Sequence, residues 1–302
     1  MFKRILLFVA LNLLVMLMAT FILNIFHVQP YLNAHGIDYF SLMIFCLVWG
    51  MVGALISLSL SRIMAKWMLG VTLIDPSSKD PQFKELLHTV QTLSQRAGIP
   101  MPEVGVYRSN EINAFATGPT QKRSLVAVSS GLLNRMSPKE LEGVLGHEIS
   151  HIANGDMVTM TLLQGVINAF VMFLARILAS LLSGFGKKQN QGGSYMSFAL
   201  FTLLFETVFM ALGFLVIAAF SRYREFRADA GGAHLAGKDA MISALKSLNG
   251  LKTNEDPQQN QAIAAFKISR TGKKGIWALF STHPPLEERI ERLARHSYTV
   301  SG

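Results

Sequence analysis

The chain has 302 residues, half of them hydrophobic and only 16% charged, with a positive mean hydropathy and a formal net charge of +9. That balance excludes an ordinary soluble enzyme and points to membrane spans joined to a polar domain. The positive charge fits Lys and Arg retained on the cytoplasmic side of a membrane, and no basic run is interleaved with aromatics as a nucleic-acid platform would need.

Lys3 and Arg4 open the chain like a signal peptide, but the apolar run behind them is too long for a cleaved segment and lacks a small-residue cleavage site. It reads as an uncleaved anchor. Residues 1–61 are expected to hold two spans, near 5–26 and 40–60, and residues 158–220 a transmembrane helical hairpin, near 158–182 and 196–220. Cys46, the one cysteine, lies in the second run as a small hydrophobe, so any metal must rely on His and carboxylates. Arg176 and Glu206 are costly inside the hairpin unless they meet. Lys3, Arg4, Arg62, Lys66, Arg222, Arg224 and Arg227 flank the spans on one side, which places both termini and the polar segments in the cytoplasm.

The polar domain comes in two parts, 62–157 and 221–302. In the first, Asp80-Pro81 caps a helix that Gly98 and Pro100 close, and short strands are expected at 103–107, 114–117 and 124–129, with a turn at Gly118-Pro119. Ser137-Pro138-Lys139-Glu140 is a capping box with proline at N1. The helix it starts has apolar residues at Leu141, Val144, Leu145, Ile149 and Ile152, and carries His147-Glu148-Ile149-Ser150-His151. Residues four apart share a helical face, so both imidazoles can reach one metal ion, and Glu148 beside them can hold the water it activates. In the second part, 223–235, 240–248 and 285–295 read as helices, and 252–275 as a polar loop whose basic residues could lie near lipid headgroups or in water.

Two histidines leave a catalytic site short of a third protein ligand. Glu225 and Asp229 stand four apart just after the last span, so one could bind metal while the other holds a ligand histidine by its free N–H. Surface decoration by nearby arginines is the bland alternative, and the motif on the same membrane face outweighs it.

These segments resemble a family. HEISHIANGD, the NAFATGP stretch at 113–119, SRYREFRADA at 221–230 and STHPPLEERI at 281–290 are similar to the HtpX membrane zinc metalloproteases of bacteria, relatives of the CAAX prenyl protease. The resemblance covers essentially the whole chain. It implies a mainly α (α+β) fold, with a four-helix transmembrane region and a cytoplasmic zincin-like, gluzincin protease domain. It implies one zinc ion per chain held by His147, His151 and Glu225, with Glu148 as catalytic base and Asp229 behind the ligands. It further implies a multi-pass protein of the bacterial inner membrane that cuts misfolded or damaged membrane proteins during stress, with the bilayer and other membrane proteases as partners.

The chemistry also needs a donor for the developing oxyanion, for which His283 and Arg289 are candidates; His283 could equally cap the last helix. Asn113, Ala114 and Phe115 suit an edge strand that an extended peptide could join, with the Asn113 side chain on the peptide backbone. Two other classes stay open on the residues alone. A metal transporter is disfavoured because the motif lies outside the spans, and a structural metal site because it has no use for Glu148.

Overall fold

The computed structural model describes residues 38–184, 193–252 and 280–295. In chain order its elements are α1 (Tyr39–Leu69), β1 (Thr72–Leu73), α2 (Pro81–Arg96), β2 (Glu103–Tyr107), β3 (Ala114–Thr120) and β4 (Arg123–Ser129), followed by α3 (Ser130–Arg135), α4 (Pro138–Asn154), α5 (Asp156–Gly184), α6 (Gly193–Ala236), α7 (Lys238–Lys252) and α8 (Leu286–Arg295). They form two compact units, one of Met1–Ser57 and Thr159–Ile217, the other of Leu58–Val158 and Ala218–Gly302.

The first unit holds the apolar lengths of α1, α5 and α6, three helices long and apolar enough to cross a membrane. The expected span at 5–26 lies outside the described residues, as do His27 and His35. Where α1 meets α5, Gly50 leaves no room for a Cβ, which would come within 2.8 Å of the Ala169 backbone. Small residues at such a crossing let helices associate where lipid supplies no hydrophobic drive. Arg176 donates from Nη1 to Glu206 Oε1 at 2.8 Å and to the Met172 carbonyl at 3.0 Å, so the two expected intramembrane charges do meet.

The second unit is built on a sheet of order β1-β2-β4-β3, with β2 parallel to β4 and the other pairs antiparallel. β4 is buried along six of its seven residues because both faces are covered. Val126 and Val128 face the main core with Leu86, Val90, Leu145, Ile149 and Leu245, while Leu125 and Ala127 face a smaller one with Tyr107, Phe115 and Ala65. α4 sits at the centre of the main core, packed by α2, α7 and the edge strand β3. Its capping box forms as expected, and Gly155 ends it in the left-handed region at φ 62°.

Three features depart from the sequence expectations. The expected turn at Gly118-Pro119 is instead an irregular stretch within β3, with the register shifting between Thr117 and Thr120. Gly118 has φ 138° and a Cβ there would meet the Arg123 carbonyl at 2.2 Å, so only glycine fits, and the edge position tolerates Pro119 because no ladder needs its N–H. The expected span at 196–220 and helix at 223–235 are one unbroken helix, α6. α1 runs on past the expected end of its span at 60 to Leu69, and in that extension Arg62 and Lys66 both reach Glu103, at 3.1 and 2.8 Å.

The Arg176–Glu206 pair can be tested by charge reversal. Arg176→Glu and Glu206→Arg should each destabilise the purified protein by about 2 kcal/mol or more, since each strands a charge in an apolar surrounding. The double reversal should recover most of the loss of melting temperature. A double variant no better than the singles would rule the pair out as a stabilising contact.

Candidate metal centre

The capping box and Gly155 fix the length of α4, and apolar positions on either side of the motif hold it in the core. His147, Glu148 and His151 are all buried. α6 crosses α4 at very close range. A Cβ on Gly232 would lie 3.0 Å from the His147 backbone nitrogen, and one on Gly231 would lie 2.5 Å from Ser150 Oγ. That approach carries Asp229 and Glu225, about one and two turns earlier on α6, to the two imidazoles.

His147 Nδ1 lies 3.0 Å from Asp229 Oδ1, and His151 Nδ1 lies 2.7 Å from Asp156 Oδ2. In each neutral ring the carboxylate accepts the Nδ1–H, which leaves Nε2 as the acceptor. Those two nitrogens stand 3.1 Å apart, and each is 3.4 Å from a different oxygen of Glu225. No hydrogen bond of good geometry reaches either oxygen of the buried Glu225, although His283 Nδ1 lies 2.9 Å from Oε2. Convergent lone pairs in a buried place repel unless a cation sits among them. Ligand atoms about 2.1 Å from a tetrahedral metal ion fall roughly 3.4 Å from one another, so the spacing fits such an ion. Among the described residues, His147, His151 and Glu225 are the group that could hold one.

The electrostatics agree. Burial works against a charge on His147, yet Asp229 and Glu225 outweigh it and push its pKa up to about 9. For His151 burial is likewise outweighed, by Asp156 and Glu225. Burial also opposes a charge on Glu225, but the histidines around it, His283 foremost, hold its carboxyl well below the usual range. Glu148 goes the other way: burial lifts it above its ordinary value, only partly offset by His147 and His151.

Arg289 is fully buried and donates from Nε and Nη2 to Asp229 at 2.8 and 2.6 Å. Its Nη1 lies 3.7 Å from Glu225 Oε2. It therefore acts as a brace on the carboxylate behind His147, while Nη1 is buried with no hydrogen-bond partner. His283 places Nδ1 2.9 Å from Glu225 Oε2, and its side chain is 24% exposed, the most open of the group. Arg222 ties this loop to α6 by donating to the Ser281 carbonyl at 2.8 Å. Asn113 and Ala114 stand at the start of β3, both buried, with the Asn113 carbonyl accepting from Ser129 N–H. Phe115 packs inward on Tyr107, with ring centroids 5.8 Å apart. His88 and His234 take no part in the cluster, and His296 lies outside the described residues.

Sequence reasoning passed over Asp156. It follows the helix-stopping glycine and looks like the first residue of the next helix, which it also is. Only the left-handed turn at Gly155 brings its carboxylate back to His151. Asp156→Asn should lower metal affinity by about 10–100-fold with little change in secondary structure. Competition with a chromophoric chelator would measure this, and unchanged affinity would remove Asp156 from the site.

Residues 80–297 match Peptidase family M48. A protease HtpX homologue of Methylacidiphilum infernorum is 48% identical over 300 residues, which is 98% of this chain and 99% of that one. The homologue of Bacillus subtilis is also 48% identical, over 96% of this chain and 98% of its own. Among solved structures, Ste24p of S. mikatae has a similar fold, with a TM-score of 0.58 over 97% of this chain and 67% of that one at 20% identity. The chain belongs to peptidase family M48 and, within it, to the HtpX proteases.

Proposed function

We propose that the protein is a zinc-dependent endopeptidase of the bacterial inner membrane that cleaves misfolded or damaged membrane proteins at their cytoplasmic regions. The observation that carries the catalytic part is the convergence of two buried imidazole nitrogens and one buried carboxylate at ligand spacing, beside the buried carboxyl of Glu148. Two imidazoles and a carboxylate at tetrahedral spacing, with no thiolate, suit zinc in an open catalytic site. The membrane setting rests on the three long apolar helices, and the substrate class and the stress role on kinship with the HtpX proteases.

Zinc bound there would lower the pKa of a water molecule toward 7 and polarise a peptide carbonyl. Glu148 takes the proton from the attacking water and passes it to the leaving amine. The raised pKa that burial gives Glu148 suits that exchange, because the group then holds a proton more readily than an exposed carboxylate. Asp229 and Asp156 keep both rings turned with Nε2 inward, and Arg289 holds Asp229. His283, at the open rim, is placed to donate to the oxyanion as the carbonyl is attacked.

β3 presents the docking edge for an extended peptide. Asn113 pairs with Ser129, and Ala114, Phe115 and Ala116 follow opposite Val128, Ala127 and Val126. In an antiparallel ladder alternate residues turn their amide groups outward, so Ala114 and Ala116 aim N–H and C=O away from β4; Ala116 is partly exposed to a substrate strand, while Ala114 is covered and must be uncovered for pairing to extend to it. Asn113, buried at the strand's head, holds its start in register.

The decisive comparison is wild type against Glu148→Gln, both stripped of metal, reloaded with zinc and assayed on casein and on themselves. The variant should bind zinc as tightly, melt at the same temperature and cleave at least about a hundredfold more slowly. Equal cleavage would refute the assigned base. Metal removal should abolish cleavage by wild type, and zinc should restore it.

A further inference from the structure

The last turns of α1, from Leu58 onward, belong to the unit that holds the metal centre. They show three different faces. Ala65 and Leu69 pack on the small core of the sheet with Tyr107 and Phe115. Arg62 and Lys66 both turn toward Glu103, with side chains 20% and 30% exposed. The remaining face is apolar and open: Leu60, Ile63, Met64, Trp67 and Met68 are all exposed, Trp67 to 79%. A helix end that turns its charges inward and a tryptophan outward has the polarity of a surface facing something other than water.

The sequence of α1 says what that is. Phe45, Trp49, Val52, Ile56, Leu60, Ile63 and Trp67 follow one another at steps of three or four in an unbroken helix, which puts them on one face, and each is exposed. From Phe45 to Trp67 the face rises roughly 33 Å, about the hydrocarbon thickness of a bilayer. α1 itself is about 46 Å long, so its end must lie beyond the apolar layer or in the headgroup layer. Tryptophan favours that layer, with its ring in acyl chains and its N–H in the polar region. Arg62 and Lys66 could enter the same layer because Glu103 already neutralises them in part.

We propose that Trp67, with Ile63 and Met68, is a membrane-interface anchor of the proteolytic unit, and that the lipid boundary lies at the end of α1, not at Arg62. The inference rests on α1 spanning the membrane, and the test separates the two. In Glu148→Gln protein, which does not digest itself, two single-tryptophan forms are made. One keeps Trp67 (W49F, W277F) and the other keeps Trp49 (W67F, W277F). Both are placed in nanodiscs of phosphatidylcholine brominated either near the carbonyl end or near the methyl end of the acyl chains.

Trp67 should emit at short wavelength, lose about half its intensity to bromine near the carbonyl end and less to bromine near the methyl end, and resist aqueous iodide. Trp49 should be quenched by lipid bromine as well. Trp67 emission at long wavelength with strong iodide quenching would place it in water and overturn the anchor. Short-wavelength emission quenched by neither agent would mean that protein covers it, through a second copy or residues 1–37, and would overturn it too. Failure of Trp67 with Trp49 still quenched would leave the span intact, while failure of both would bring down the span.

Discussion

Helices α4 and α6 cross with almost no side-chain volume between them, and the metal centre depends on that crossing. Gly232 lies against the backbone of His147, and Gly231 against Ser150. A methyl group at either position would drive the helices apart by a few tenths of an ångström. The contacts from α6 to the imidazoles fall between 3.0 and 3.4 Å, so such a shift would move the carboxylates of Glu225 and Asp229 off both rings together. The core residues of α4 hold one side of the crossing, and Met241 and Leu245 of α7 back the other. Burial in this unit therefore serves geometry at least as much as stability.

The second constraint is charge. Glu148, Asp156, Glu225 and Asp229 are all buried, and the guanidinium of Arg289 is the one cation buried to the same degree among the described residues. Isolated charges in an apolar interior are expensive, and pairing must offset that cost. Arg289 accounts for Asp229. The remaining acids surround two imidazoles whose inner nitrogens carry lone pairs, a set that a dication balances well. The electrostatics and the ligand spacing thus lead to the same occupant.

Much of this was legible in the residues. The capping box at Ser137–Glu140, the i, i+4 histidines and the i, i+4 acids each follow from local helical periodicity. The meeting of Arg176 and Glu206 follows from the cost of a lone charge in lipid. The rest depends on contacts between distant residues. Glu103 meets both Arg62 and Lys66 from about forty positions away, a pairing that the charge pattern at the end of the expected span does not reveal. Gly118-Pro119 has the composition of a turn, but the strand continues through it as an irregularity and resumes pairing with β4 at Thr120. Arg289 reads only as a candidate donor in the sequence, and its two-pronged hold on Asp229 needs the fold to be seen. Asp156 needed only one backbone angle, at Gly155, to be visible.

The second unit is discontinuous: the chain leaves it after Val158 and re-enters at Ala218. His151 and Glu225 are 74 residues apart, and Arg289 comes later still. Closing a loop of that length costs roughly 4 kcal/mol of chain entropy, which the assembled centre must recover. The order of synthesis has a further consequence. A ribosome releases the HExxH helix first, then the whole membrane hairpin, then the carboxylates and finally the arginine brace. Until Glu225 has left the ribosome no complete ligand set exists, so a chain still inserting its membrane hairpin cannot hold a metal ion through all three side chains.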